Sequence, residues 1–132
     1  MLIELIGVLE TGGPRGAAVP TNPRSAIRFS KGTDVTINLS ATTTDGAALP
    51  PLSGGAKLTM TVKKNSADTS FLIQKNVTTG AMVFTISSAE QKNIDPGMYV
   101  YDVWYTAPTS SKRDPLIPLS PFIIEGTATL PP

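Results

Sequence analysis

Ten carboxylates are the main chemical resource of this sequence: Glu4, Glu10, Asp34, Asp45, Asp68, Glu90, Asp95, Asp102, Asp114 and Glu125. Two carboxylates held together can act as acid and base on a glycosidic bond. No two of these stand in a recognisable catalytic or calcium-loop spacing. A chain of 132 residues also has little room for a substrate cleft beside its core. The chain has no histidine and no cysteine. That removes Ser–His pairs, thiolate nucleophiles, and zinc or haem ligand sets drawn from these residues. Gly12-Gly13 and Gly54-Gly55 lack the Lys-Ser/Thr of a phosphate loop and read as turns. No catalytic residue, metal site or cofactor is expected.

The basic residues are no more specific. Lys63-Lys64 and Lys112-Arg113 read as solvated tips. Arg15, Arg24, Arg28 and Lys31 give one stretch a mild basic bias that could anchor an acidic partner surface. Eleven basic against ten acidic residues leave a net charge of +1, without the strong field of a dedicated nucleic-acid binder. No run reaches the roughly 18 apolar residues of a membrane helix. Met1 to Leu9 is apolar but lacks a basic leader and a cleavage site, so a secretion signal is not expected. Neither nucleic acid nor membrane is expected as a partner.

The elements that would position any site are β-strands. Eleven glycines and 12 prolines punctuate a threonine-rich chain with few clustered helix formers. Val35, Ile37 and Leu39 alternate with polar residues, as do Leu58, Met60 and Val62, and then Met82, Phe84 and Ile86. Each run puts one face into a core. Phe71 to Val77 is a weaker strand with Phe71 and Ile73 inward. Met98 to Tyr105 is almost wholly apolar, and Phe122 to Leu130 closes the set. About seven short strands at this spacing predict an all-β, immunoglobulin-like β-sandwich over residues 25–132. Ser87 and Glu90 have capping-box spacing and predict one helical turn crossing between the sheets.

Three local features bear on function. Tyr99 follows Pro96-Gly97 at the start of the strongest strand, where a tyrosine corner occurs in such sandwiches; the plain alternative is one more core aromatic. If Tyr99 faces inward, Met98, Val100 and Trp104 face outward, and Trp104 becomes a partner contact; with reversed parity it is the core tryptophan. Residues 1–24 form an N-terminal strand and extended arm. Leu2, Ile3, Leu5 and Ile6 are apolar at both parities, so both faces of that strand should be covered. The segment is expected to add to a neighbouring subunit's sheet; alternatively it packs on its own domain. The proline-rich stretch Ala107 to Pro121 reads as an exposed hairpin tip followed by a proline-broken edge strand.

Three stretches resemble a known family. They are Ile27-Arg28-Phe29-Ser30-Lys31-Gly32-Thr33-Asp34-Val35-Thr36-Ile37, Gly97-Met98-Tyr99-Val100-Tyr101-Asp102-Val103, and Phe122-Ile123-Ile124-Glu125-Gly126-Thr127-Ala128-Thr129. The chain from about residue 27 to 130 is similar to the small immunoglobulin-like β-sandwich domains of tailed-phage virion proteins, such as the amino-terminal domain of baseplate upper proteins. The shared pattern is an aromatic-x-x-Gly-polar-polar opening, a helical turn, and a Gly-x-Tyr-x-Tyr-Asp strand.

The resemblance implies a non-enzymatic structural subunit of a bacteriophage virion, assembled in the host bacterial cytoplasm. Its expected partners are other virion proteins, capsid or tail subunits, in a homo-oligomer or multi-copy assembly. The extra arm, and a chain that stops after the sandwich, shift the expectation from a baseplate arm to an accessory, decoration or tail-associated subunit. The expected interface residues are Leu2, Ile3, Leu5, Ile6, Arg15, Arg24 and Trp104. Deleting residues 1–24 should then leave a folded sandwich that no longer joins the particle. The rival expectation is a carbohydrate- or host-surface-binding module.

Overall fold

A computed structural model describes residues 1–9, 26–43, 48–49, 52–108 and 113–126. Among them are eight strands: β1 Leu2–Leu9, β2 Ile27–Ser30, β3 Val35–Thr43, β4 Lys57–Lys63, β5 Ile73–Val77, β6 Val83–Ile86, β7 Gly97–Thr106 and β8 Arg113–Glu125. They form a three-stranded sheet, β1-β3-β6, and a five-stranded sheet, β2-β8-β7-β4-β5. The molecule is an all-β sandwich.

Period-2 alternation builds the core. Val35, Ile37, Leu39, Phe84 and Ile86 point inward from one sheet, and Leu58, Met60, Val62, Tyr101 and Val103 from the other. Phe122 lies at the centre of the aromatic packing. Its ring meets Phe29 edge-on at 5.4 Å and Tyr101 at 6.1 Å, the arrangement that aromatic quadrupoles favour. Burial pushes the Tyr101 hydroxyl well above the usual phenol range.

Between β6 and β7 the chain crosses from one sheet to the other on a 3₁₀ turn, Ala89–Gln91. The Glu90 amide donates to Ser87 Oγ at 3.3 Å, and the Ser87 amide donates back to Glu90 Oε1 at 3.1 Å. This reciprocal pair is the one that the Ser87/Glu90 spacing predicts. Gln91 is fully buried and locks the crossing to the β2–β3 turn. Its Oε1 accepts from the Gly32 amide at 2.8 Å, and its Nε2 donates to the carbonyls of Thr33 at 2.6 Å and Ser87 at 3.3 Å. Gly32 can adopt the φ of 91° that this turn requires. Tyr99 makes the corner: its hydroxyl donates to the Asp95 carbonyl at 2.5 Å. Desolvation, and then the nearby Asp95 charge, raise that hydroxyl's pKa.

Three elements differ from expectation. Phe71 is exposed, not inward, because β5 begins only at Ile73; the turn is pinned before it, by the Leu72 amide donating to the Val62 carbonyl at 2.8 Å. β8 runs unbroken through Pro115, Pro118 and Pro121. Its pairing with β7 accommodates them through two register shifts, one between Tyr101 and Val103 and one between Val103 and Trp104. Each inserts an extra residue on β8, as a bulge does. Consequently Leu116 and Ile117 are both buried although adjacent in sequence. Finally, β1 is a strand of the sandwich itself. It runs parallel to β3 in unbroken register from Leu2↔Thr36 to Leu9↔Thr43. The remainder of the expected arm, residues 10–25, and the expected strand end at 127–130 lie outside the described residues.

Candidate interaction surface

The parity of β1 divides its apolar residues. Leu5 is 2% exposed and belongs to the core, and Ile3 is half-buried against it. Leu2 and Ile6 are 57% and 48% exposed and point outward with Glu4. The strand is therefore covered on one face, not on both, because no described layer packs on the outside of the three-stranded sheet. Gly7 lets β1 settle onto the opposite sheet. A Cβ there would stand 2.6 Å from the Leu116 Cγ of β8, so only a glycine fits without displacing Leu116.

The backbone of β1 is divided in the same way. The Thr36 amide donates to the Met1 carbonyl at 2.8 Å, and Leu2 stands opposite Thr36. In a parallel ladder this phase turns the amide and carbonyl groups of Ile3, Leu5 and Gly7 toward β3. Those of Leu2, Glu4 and Ile6 point away. β1 is the end strand of its sheet, so no described strand meets the groups that point away.

A second apolar strip runs along the outer face of β7 and β8. Met98 stands opposite Ile123, Val100 opposite Pro121, and Trp104 opposite Pro115. Met98 is 74% exposed. Trp104 lies on this outer face, the parity that Tyr99 predicts, while Tyr101 and Val103 are in the core. Its ring is already engaged: Nε1 donates to Asp102 Oδ2 at 3.1 Å, and the Arg113 guanidinium lies over the ring at 5.3 Å. That stacking leaves less of the aromatic face for a ligand.

The seven residues expected from sequence thus separate. Leu2 and Ile6 lie together on the open edge, and Ile3 sits behind them. Trp104 is on the other sheet. Leu5 is in the core and is unavailable as a contact. Arg15 and Arg24 lie outside the described residues. Exposed Leu119 has no signal in the sequence, because the β8 bulges reset inside and outside where simple alternation gives no warning. Among the described residues, no three acidic side chains gather as a metal-ligand set.

No family model and no curated protein matches this sequence. Among solved structures, the chain is similar to the N-terminal domain of ORF48 of phage TP901-1, at 12% identity and a TM-score of 0.46, over 95% of this chain and 99% of that one.

Proposed function

We propose that this chain is a non-enzymatic structural subunit of a bacteriophage virion, accessory or tail-associated, that docks on neighbouring virion subunits through its N-terminal segment. One observation carries the docking reading. Leu2 and Ile6 stay exposed on an end strand whose other face is built into the core. Apolar side chains held in one place on a rigid strand suit burial by a partner. Assignment to a virion is supported by the resemblance of the stretches 27–37, 97–103 and 122–129 to phage sandwich domains. Assembly would take place in the host cytoplasm, with the chain present in many copies.

The carbohydrate-binding alternative is less well supported, because Arg113 already stacks on Trp104. Deleting residues 1–24 is a poor test, since it would strip β1 from its sheet and uncover the core around Leu5. Outward substitutions are cleaner. A phage genome encoding the chain with Leu2→Asn and Ile6→Asn should yield a folded protein, by circular dichroism, that is absent from purified particles. Undiminished incorporation would refute the docking role. Loss of glycan binding in Trp104→Ala would restore the alternative.

A further inference from the structure

The sheet edges are not guarded alike. β2 and β6 are four residues each. β5 has five, and its Lys75 follows the inward parity of Ile73 to pair with Glu90. Among the described residues, β8 from Arg113 to Pro121 pairs only with β7, and this flank carries Pro115, Pro118 and Pro121. Short strands, inward charges and prolines are the usual means of keeping an edge from pairing. β1 has none of them. It is eight residues long, Leu-Ile-Glu-Leu-Ile-Gly-Val-Leu, with no proline and no basic residue. Its one charge, Glu4, is exposed and makes no ion pair among the described residues.

We infer, resting on the docking role proposed above, that β1 accepts a strand from a different polypeptide: an extended segment with a Lys or Arg beside Glu4 and apolar side chains beside Leu2 and Ile6. The amide and carbonyl groups of Leu2, Glu4 and Ile6 supply the ladder, and alternate side chains supply selectivity. An antiparallel partner gives the stronger hydrogen bonds. The charge argues against a second copy of this chain. β1 offers Glu4 no cation, and a two-fold pairing centred on Glu4 sets two carboxylates face to face. Like charges directly opposite destabilise a sheet, while opposite charges stabilise it.

The test uses the full chain and a synthetic nine-residue peptide with valine, lysine and valine at alternate central positions. A second peptide has glutamate in place of the lysine. The wild-type chain should bind the lysine peptide more tightly by about fivefold, the value of one cross-strand charge pair. Glu4→Lys should reverse the order. N-methylation of the peptide amides that face β1 should abolish binding. No binding, equal affinity for both peptides, an order unchanged in Glu4→Lys, or tolerance of N-methylation would each overturn the inference. So would a dimer in sedimentation that Glu4→Lys dissociates or strengthens. Failure of the peptide order while Leu2→Asn/Ile6→Asn still blocks incorporation would remove strand addition and leave the docking role standing. The reverse result would remove the docking role alone.

Discussion

β1 and β8 meet where Gly7 rests on Leu116, yet the two strands handle their exposed sides in opposite ways. β8 carries three prolines and, against β7, two register shifts. β1 keeps eight consecutive residues in register with β3. Bulges twist a strand and prolines remove donors, so the free side of β8 is a poor template for another chain. The outward side of β1 meets no described strand and keeps its donors and acceptors in unbroken phase. Two strand flanks that meet no described neighbour thus differ in readiness to pair through their local sequence.

The largest expected effect contrasts neighbours within β1. Leu5→Ala should cost about 2–5 kcal/mol, since it opens a cavity in a packed core. Leu2→Ala, on the exposed face, should change stability by no more than about 0.5 kcal/mol. Urea denaturation of both variants measures the difference, and equal losses would show that β1 has no outward face. Next comes the contact between the two strands. Gly7→Ala should cost about 1–3 kcal/mol by crowding Leu116. In a double-mutant cycle with Leu116→Ala the two changes should be non-additive, because removing the Leu116 side chain makes the room that the new methyl needs. Additivity would break the proposed seating of β1 on β8.

The smallest effect concerns the guarded edge at β5. The Lys75 ammonium bonded to Glu90 holds that carboxyl below its ordinary value of 4.5, assisted by the Ser87 amide and hydroxyl. A depressed carboxyl pKa gives stability that is complete above the unfolded-state value and is lost as pH falls through the lower folded-state value. Acid titration of unfolding should show a small loss below about pH 4.5 that Glu90→Gln lacks. Identical profiles would mean that Glu90 does not secure Lys75. The side chains are partly exposed, so screening keeps the effect small.

Where alternation was strict, the sequence was legible. The runs at Val35–Leu39, Leu58–Val62 and Phe84–Ile86 point inward as their period requires. Tyr99 correctly set the parity of β7, because a corner hydroxyl must reach a carbonyl on one side. Legibility failed where long-range geometry decides. Leu116 and Ile117 both face inward through a bulge that depends on β7 as much as on β8. The strand residues of β1 are apolar at both parities, a pattern that looks doubly buried, yet no described layer packs on the outside of the three-stranded sheet. The parallel pairing of β1 with β3 spans about 34 residues of separation, Leu2↔Thr36, and no local pattern encodes it. The interface candidates shared this limit: Leu2 and Leu5 are indistinguishable by type and are told apart only by parity.

Residue-resolved amide hydrogen exchange along β1 in the isolated chain tests the central claim most directly. Amides bonded to β3 should exchange slowly and those turned outward quickly, giving slow exchange at Ile3, Leu5 and Gly7 and fast exchange at Glu4 and Ile6. Uniformly slow exchange at all five in the monomer would mean that the edge is already paired within the chain, and would contradict the account.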